Sequence, residues 1–450
     1  MPPQERTEVL GRLVRMIDLT RLRREPDIVK AALARRGVSP EVMDAIILMD
    51  VEHRELLQEA ERLRAEVKFL SRLVGEARRD KDAETAEKLT EKSRRLGDEE
   101  RVATEAMERV GALLHDELLM IPNLPAPEAP DGADENDNVE LRRWWVGMDE
   151  GLPFPTYAEH QKVPHWDIGI ELGILDLEAG ARLAGSMFPL YRGDGARLLR
   201  ALSAFSLDRH LGVYEEIRPP TFALTATMMS TGHLPKSSDD MYAIERDGLW
   251  AIPTAEVPLT SMHAGEILEE SRLPIRLCAQ TNCFRREAGA AGRDTRGVLR
   301  VHEFEKVELF AYCTPEQQED AFNDILQRAE GVLQALGLTY RLLDLCAGDL
   351  GTSSMRTIDL EVFSPGVDRW LEVSSVSKFG DYQARRAQVR YRTAEETNAL
   401  VHTVNGSALG WARVWAALLE TYRQEDGSIV LPDALAAYMG GNATIVARAS

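Results

Sequence analysis

The sequence predicts an α+β protein with an N-terminal antiparallel coiled-coil helical hairpin, followed by a domain built on a mainly antiparallel sheet flanked by helices. Three observations support this prediction. Apolar residues follow a heptad pattern through residues 42–114, with one polar interruption. A proline-rich segment at residues 121–127 ends the pattern, because proline removes helical donors. From Val139 onward, short apolar runs alternate with helical segments and Gly/Pro turns.

The size and composition of the chain set broad limits on its class. Its 450 residues are enough for two or three domains, and 44% hydrophobic with 28% charged residues is typical of a globular protein. No apolar run is long enough for a membrane span, and the N-terminus lacks the apolar core of a secretory signal. We therefore expect a cytoplasmic protein.

Cysteine usage and net charge narrow the possible partners. The four cysteines form no CxxC pair and have no histidine cluster beside them, so we expect free thiols and no zinc. The formal net charge of −20 alone argues against nucleic acid, because phosphate binding requires a basic surface. Local basic segments decide such contacts, however, and one lies in the N-terminal part of the chain.

The hairpin is predicted from two long helical patterns. Residues 16–40 form a short helical segment, and a seam in steps of four and three then runs from Val42 to Val74. Gly75 is expected to end this first helix, and polar residues 76–82 to form the turn. The seam resumes at residue 86 and continues to residue 114. Each helix would be roughly 50 Å long at ~1.5 Å per residue.

The boundary between the domains is predicted after the hairpin. We place the first domain at residues 16–122, with its long arm at about 41–119, and the second at residues 138–450. Several apolar runs in the second domain predict strands. These runs are Leu249–Ile252, Leu299–Val301, Val307–Tyr312, Leu338–Leu345, Thr357–Phe363 and Trp370–Val373.

A strand–loop–strand pattern is the first candidate for chemistry. Residues 283–287 read Cys-Phe-Arg-Arg-Glu, a glycine-rich loop follows at 288–297, and a second strand is expected over 299–308. A buried arginine at a strand end is costly without an anion, so Arg285 is a candidate phosphate ligand. A hairpin with ordinary surface ion pairs explains the same residues.

Two further segments place carboxylates beside hydroxyls. Thr254 and Glu256 lie in an apolar, proline-bracketed stretch, where a carboxylate suits an ammonium group and a hydroxyl orients a small polar ligand. Glu372 and Ser375 offer the hard oxygen ligands that suit Mg²⁺ bound with nucleotide phosphates. Taken alone, each segment is more simply explained as part of the structure.

The last candidate segment precedes an apolar helix. Residues 405–407 read Asn-Gly-Ser and are predicted as a turn with free backbone donors, followed by a helix from Trp411 with Arg413 near its start. A plain turn and a surface arginine are the alternative.

In their order and combination, these segments resemble the bacterial-type seryl-tRNA synthetases, which are class II aminoacyl-tRNA synthetases. The resemblance covers about Met16 to Gly441. Residues 212–220 resemble the first class II motif, residues 284–308 the second and residues 406–413 the third. The segments specific to the seryl branch are 121–125, 252–260 and 383–392.

The resemblance implies a function and partners. The enzyme is expected to activate L-serine with ATP, release pyrophosphate, and transfer serine to the terminal ribose of tRNA(Ser), and also of tRNA(Sec) where that tRNA is present. Mg²⁺ would accompany ATP. A homodimer is expected through the first motif, around Pro219 and Pro220.

The resemblance also implies residue roles. Arg285, Glu287 and Arg413 would be catalytic, with Arg285 on the α-phosphate, Glu287 on the adenine amino group and Arg413 on the γ-phosphate. Phe304 would stack on adenine, Glu372 and Ser375 would hold Mg²⁺, and Glu308 would bind the serine ammonium. The full expected ATP set is Arg285, Arg286, Glu287, Val301, Phe304, Glu372, Val373, Ser374, Ser375 and Arg413. The full expected serine set is Thr254, Ala255, Glu256, Glu308, Asn405 and Ser407.

The hairpin would contact tRNA, including its long variable arm. Basic residues concentrate near the tip, and this local excess answers the objection from net charge. The expected contacts are Lys68, Arg72, Arg78, Arg79, Lys88, Arg94 and Arg95. For any single one of them, a solvated coiled-coil surface is the alternative.

Departures from the family pattern leave two alternatives open. Residues 67–69, 185–188 and 408–413 differ from the usual family sequences, although the expected catalytic groups remain. The chain is either a housekeeping enzyme or a specialised paralogue, with a biosynthetic role or resistance to a serine-mimicking inhibitor. A non-catalytic binding protein is the alternative from another class. Because the family usually begins near Met16, residues 1–15 are expected to be dispensable or to reflect a misplaced start.

Overall fold

The computed structural model describes residues 19–288 and 296–447. The chain divides into two compact units, Met1–Ile121 and Pro122–Ser450. The expectations for residues 1–15, for the start at Met16 and for the central part of the loop at 288–297 fall wholly or partly outside the described residues. No helix in the described ranges is long and apolar enough to cross a membrane.

The N-terminal unit consists of two short helices and two long ones. In chain order, these are α1 (Leu19–Arg24), α2 (Pro26–Ala34), α3 (Pro40–Arg79) and α4 (Ala83–Met120). The single short segment expected before residue 40 is therefore two helices, and Pro26 begins the second one because proline is compatible with a first helical position. The long helices α3 and α4 pack along each other as a hairpin.

The heptad seam buries the residues that its spacing selects. Leu63, Leu70 and Leu96 are buried in one apolar cluster of the hairpin. Val42 is an exception, since it is exposed and the adjacent Met43 is buried instead. The prediction that Gly75 ends the first helix is wrong, because α3 continues to Arg79. A glycine costs about 1 kcal/mol inside a helix, but the seam continues past it to the buried Ala77.

The C-terminal unit is built on an eight-stranded sheet. Its neighbouring strands are antiparallel except at one edge, where the short first-motif strand pairs parallel to its neighbour. In spatial order the strands are β1 (Val139–Trp144), β11 (Tyr340–Asp344), β12 (Arg356–Ser364), β13 (Arg369–Gly380), β16 (His402–Gly410), β10 (Glu303–Cys313), β9 (Ile275–Phe284) and β4 (Glu215–Glu216). The predicted mainly antiparallel sheet is confirmed.

Helices and small sheets surround this main sheet. The helices are α5 (His165–Glu171), α6 (Leu177–Ala184), α7 (Asp194–Asp208), α8 (Thr225–Ser230), α9 (Glu256–Ser261), α10 (Gln318–Ala335), α11 (Tyr382–Ala387), α12 (Trp411–Tyr422) and α13 (Asp433–Ala436). The remaining strands are β2 (Leu175–Asp176), β3 (Leu190–Tyr191), β5 (Phe222–Leu224), β6 (Ala243–Ile244), β7 (Leu249–Ala251), β8 (Ile267–Glu269), β14 (Arg390–Arg392), β15 (Asn398–Leu400), β17 (Ile429–Val430) and β18 (Thr444–Ile445).

Two local predictions in this unit are wrong. Leu299–Val301 is not part of a strand, because β10 begins only at Glu303 and the preceding residues form a buried turn. Residues 405–407 are not a turn, because they lie inside β16 between β10 and β13. Strand β16 therefore carries its polar side chains in the middle of the sheet, where they reach the site described below.

Helix α12 covers the sheet beside these strands. Its residues Trp411 and Trp415 are fully buried and belong to the main hydrophobic core. Aromatic side chains of this size bury more apolar area than other residues, so they fix the helix firmly against the sheet. The first turn of α12 thereby holds Arg413 at the edge of the site.

Candidate active site

A cavity of about 680 Å³ lies in the C-terminal unit on the sheet formed by β9, β10, β13 and β16. The structure brings together most of the expected ligand-binding residues in its wall. These are Thr254, Glu256, Arg285, Glu287, Val301, Phe304, Glu308, Glu372, Val373, Ser374, Ser375, Asn405, Ser407 and Arg413. Ala255 and Arg286 do not line the cavity.

One part of the cavity wall holds a compact polar group on the sheet. Lys306 and Glu308 are two residues apart on β10, so both side chains point to the same face. The Lys306 Nζ lies 2.5 Å from Glu308 Oε2 and donates a 2.7 Å hydrogen bond to Thr254 Oγ1. Thr254 Oγ1 in turn donates to Glu308 Oε2 at 3.1 Å. The buried carboxylate thus has a cation and a hydroxyl as fixed partners.

A second carboxylate, Glu256, lies in the same wall. Burial raises the pKa of Glu256 to about 7, and the nearby Glu308 carboxylate adds to the shift; Lys306 and hydrogen bonds from Gln383 and Asn405 oppose it. Gln383 Nε2 donates to Glu256 Oε1 at 2.5 Å. This part of the wall therefore combines two carboxylates with one lysine, and the second carboxylate can attract another small cation when it is ionised.

Another part of the cavity wall carries an arginine beside an aromatic ring. The Arg285 guanidinium lies 5.2 Å from the centre of the Phe304 ring, within the range of a cation–π contact. Arg285 is exposed rather than buried, contrary to the expectation from its place at a strand end. Its charge is therefore open to a ligand in the cavity. Glu287 is paired with Arg300 at 2.6 Å, and its backbone has a φ of +52°.

Arg413 connects strand β13 to the turn before β10. Its Nε donates to the Leu299 carbonyl at 3.0 Å, and its Nη1 donates to the Glu372 carbonyl at 2.7 Å. The Glu372 carboxylate lies 3.8 Å from the same guanidinium nitrogen. These bonds hold the guanidinium in one orientation at the cavity wall, while part of its surface stays exposed.

Oxygen ligands surround Ser375 on β13. Ser375 Oγ donates to Asp359 Oδ1 at 2.5 Å and lies 3.4 Å from Glu372 Oε1. Burial raises the pKa of Asp359 well above its usual range, and the neighbouring Glu372 carboxylate raises it further. A divalent cation would relieve this repulsion, and carboxylate and hydroxyl oxygens are the ligands that Mg²⁺ prefers. The donor set therefore fits Mg²⁺ brought in with a nucleotide.

Sequence reasoning missed several residues of the site. Lys306 is the partner of two expected serine ligands, and Asp359 is the partner of two expected magnesium ligands. A half-buried His233 also lines the cavity, where desolvation and then the charges of Arg285 and Lys306 lower its pKa to about 4. The spacing of Lys306 from Glu308 in a strand was the only available signal.

The expected tRNA-contact residues lie on the surface of the other unit. All seven side chains are exposed on α3 and α4. Arg72, Lys88 and Arg95 pair with glutamates one helical turn away. The other four have no such ion pair within the described part of the chain; they are Lys68, Arg78, Arg79 and Arg94.

Comparisons with known proteins agree with this geometry. Residues 16–125 match the model of the seryl-tRNA synthetase N-terminal domain, and residues 242–422 match the class II tRNA synthetase core domain for G, H, P, S and T. The chain is 43% identical over 428 residues to the serine–tRNA ligase of Chloroflexus aurantiacus, covering 95% of this chain and 99% of that protein. It is 44% identical over 435 residues to that of Nitratidesulfovibrio vulgaris, covering 96% and 100%.

A solved structure shows the same architecture. The crystal structure of seryl-tRNA synthetase from Pyrococcus horikoshii complexed with ATP matches with a TM-score of 0.87 and 34% identity, covering 96% of this chain and 100% of that one. Sequence, fold and cavity thus agree over nearly the whole length, and the chain belongs to the seryl-tRNA synthetases, the serine–tRNA ligases among the class II aminoacyl-tRNA synthetases.

Proposed function

We propose that this protein activates L-serine with ATP to form seryl-adenylate and pyrophosphate, and then transfers serine to the terminal ribose of tRNA(Ser). The observation that carries the proposal is that one cavity is lined both by a cluster of carboxylates and hydroxyls and by Arg285 and Arg413. Adenylate formation requires an amino acid and the α-phosphate of ATP side by side. These two kinds of side chain supply matching chemistry for the two substrates.

Activation requires no protein nucleophile. The serine carboxylate attacks the α-phosphorus, a new P–O bond forms, and the bond to the departing pyrophosphate breaks. The protein contributes orientation and charge stabilisation. Arg285 provides positive charge for the α-phosphate and Arg413 for the γ-phosphate, while Phe304 stacks on adenine and Glu287 receives its amino group. To do so, Glu287 turns from its pairing with Arg300 or shares its carboxylate with it.

Mg²⁺ would enter with ATP and neutralise phosphate charge. Glu372 and Ser375 would hold it, and Asp359 lies beside both of them. Val301, Val373 and Ser374 belong to the same wall and complete the nucleotide-binding surface.

Serine recognition relies on the carboxylates of the cavity wall. Lys306 offsets only one of the two negative charges of Glu308 and Glu256. The remaining negative charge, shared by the two carboxylates, would attract the ammonium group of serine. The serine hydroxyl would meet Thr254, Asn405 and Ser407, and Ser407 lies directly opposite Glu308 in the β10–β16 register. A site built to bind a hydroxyl leaves its own polar groups unpaired with alanine, which disfavours that substrate strongly.

In the second step, a ribose hydroxyl of tRNA attacks the carbonyl carbon of seryl-adenylate and AMP leaves. The exposed basic residues near the hairpin tip would bind the tRNA phosphates. A homodimer would form around the first motif at Pro219 and Pro220. Exposed apolar side chains within and beside that motif support the dimer; they are Leu211, Val213, Phe222 and Leu224.

ATP–pyrophosphate exchange tests the activation step. We expect exchange with serine and almost none with alanine or glycine, measured at equal amino acid concentration. Equal exchange with alanine would contradict a pocket that binds the hydroxyl. Absence of exchange with every amino acid, in protein that still binds ATP, would favour the non-catalytic binding protein instead.

A further inference from the structure

The turn that precedes β10 is held in place by a buried histidine outside the cavity. His165, the first residue of α5, is fully buried. The backbone N–H of Val298 donates a 3.1 Å hydrogen bond to its Nε2. This nitrogen must accept, so it carries no proton. The ring proton is therefore on Nδ1, which lies 2.9 Å from Glu420 Oε1 and donates to it.

Glu420 is the residue that holds the His165 ring in place. It is fully buried in the last turns of α12, and each carboxylate oxygen has two donors. Oε1 accepts from the ring and from the backbone N–H of His165, the latter at 3.0 Å. Oε2 accepts from the Ser364 hydroxyl and from the Gly366 N–H. No arginine or lysine in the described ranges pairs with this carboxylate, so neutral donors alone orient it.

The same helix holds the turn from the other side. Arg413 is seven residues before Glu420 on α12, which corresponds to two helical turns, or about 10 Å. Its Nε donates to the carbonyl of Leu299, the residue after Val298. Arg300, next in the chain, pairs with Glu287. One helix thus fixes consecutive residues of this turn, directly through Arg413 and indirectly through His165.

The packing of Gly297 shows how closely the turn fits the histidine. Its φ is +66°, a conformation that favours glycine. A Cβ built there would lie 2.3 Å from His165 Nε2 and 2.6 Å from Trp166 Cε3. The turn therefore approaches the imidazole as closely as a residue without a side chain allows.

We propose that His165 is a positioning residue for ATP: through its bond to Val298 it sets the place of residues 297–301, and hence of Leu299, Arg300 and Val301 in the cavity wall. This inference deepens the proposed function and rests on it. The residue touches no substrate. Its contribution is the acceptor at Nε2, and Glu420 holds the ring so that this acceptor faces the turn.

Two amide substitutions separate the two bonds of the imidazole. In His165→Gln, the longer side chain places an amide oxygen near the position of Nε2, so it can accept from Val298 but serves Glu420 poorly. In His165→Asn, the amide nitrogen lies near the position of Nδ1, so it can donate to Glu420 but does not reach Val298. His165→Gln thus keeps the hydrogen bond to Val298 in the turn, and His165→Asn keeps the hydrogen bond to the buried Glu420.

The proposal predicts opposite rankings for nucleotide use and stability. His165→Asn should raise the KM for ATP roughly five- to tenfold, whereas His165→Gln should stay within about threefold, with the KM for serine nearly unchanged in both. The thermal unfolding midpoint should be lower for His165→Gln, because it leaves a buried carboxylate short of a donor. If His165→Gln is the worse variant in both measurements, the histidine is merely structural and the proposal is wrong.

A second variant keeps the test decisive if neither amide variant folds. Gly297→Ala lies in the turn itself and pushes it away from an intact His165, so it should raise the KM for ATP by a similar factor. An unchanged KM in Gly297→Ala would overturn the proposal. The increase in unfolding midpoint on adding ATP gives a readout without catalysis: it should be smaller for His165→Asn than for His165→Gln. A wild-type protein that gains this ATP stabilisation but shows no serine-dependent exchange would contradict the proposed function alone.

Discussion

The hairpin arm and the catalytic cavity both depend on charged residues, but they hold them in opposite ways. On the arm, Arg95 and Lys88 each leave 73% of the side chain exposed and pair with glutamates one turn away on the same helix. In the cavity, Lys306 and Glu308 leave 9% and 2% exposed and are tied to each other and to Thr254. The arm charges are solvated and adjustable, whereas the Lys306–Glu308 pair of the cavity is buried and fixed.

This difference predicts how each region responds to change. Exposed ion pairs contribute about 0–1 kcal/mol and are screened by salt, so the arm would bind phosphates through many small, interchangeable contacts. A buried charge that loses its partner costs several times more, about 3–5 kcal/mol. Single substitutions should therefore have strong effects in the cavity and weak ones on the arm.

The largest effect of a single substitution is expected at Arg285. Arg285→Ala removes a donor to the charge that develops on the α-phosphate, which should lower the rate of serine-dependent exchange by about 10²-fold or more. Arg286→Ala provides the matched comparison, because its side chain does not line the cavity and its loss should be much smaller. Equal losses of exchange rate in the two variants would contradict a specific role of Arg285 in the cavity.

An intermediate effect is expected at Glu256, and it should depend on pH. The carboxyl pKa is raised from 4.5 to about 7, so the group ionises as pH rises through 7, and only the ionised form attracts the serine ammonium. The KM for serine should therefore fall between pH 6 and pH 8, and Glu256→Gln should remove this dependence. A KM that changes equally with pH in both proteins would contradict the role of Glu256.

The raised pKa of Glu256 also makes the stability of the folded protein depend on pH. Between pH 4.5 and 7 the folded protein keeps a proton that the unfolded chain has lost. Stability must therefore fall as pH rises through this range, and the loss is complete above pH 7. Glu256→Gln lacks this titrating carboxyl. As pH rises from 4.5 to 7, the unfolding midpoint of the wild-type protein should therefore fall relative to that of the variant.

The smallest effect is expected for single residues of the arm. Arg79→Ala should lower kcat/KM for tRNA by only about two- to threefold, because one phosphate contact of many is lost. Arg95→Ala should have an equal or smaller effect, since Arg95 must leave Glu99 before it can bind a phosphate. A loss of a hundredfold at either position would mean that the arm uses fixed contacts, as the cavity does.

The sequence predicted the hairpin well because its signal is local and repeated. Successive seam positions report the same buried face, so an error at Val42 did not affect the rest. The end of the first helix was misplaced because a single glycine was given more weight than the seam beyond it. Ala77 is buried in that continuation, and packing of the seam outweighs the low helix propensity of Gly75.

The site could be predicted in part, from family resemblance rather than from pattern. Asn405 and Gly406 look like a turn, but they lie in a central strand. Polar residues occur there because β16 faces a polar cavity, which periodicity cannot show. Leu299 looks like a strand residue, but its segment is held as a turn, because Arg413 donates to the Leu299 carbonyl and the Val298 N–H donates to His165. Asp359 was missed because its role depends on Glu372, which is adjacent only in the folded sheet.

We propose that serine activation resides in the C-terminal unit and tRNA binding on the arm. Replacing residues 42–118 with a short flexible linker tests it most directly, because the hairpin buries its own seam and the proposed ATP and serine ligands all follow residue 250. Exchange and charging of tRNA(Ser) would be measured on the same preparation, with the full chain as control. We expect exchange to stay within about threefold of the full chain while charging falls by roughly 10³-fold, and charging by the full chain to weaken steeply with salt. Charging by the armless protein at the level of the full chain would contradict the account, and a full chain that activates serine but charges no tRNA would identify a specialised paralogue.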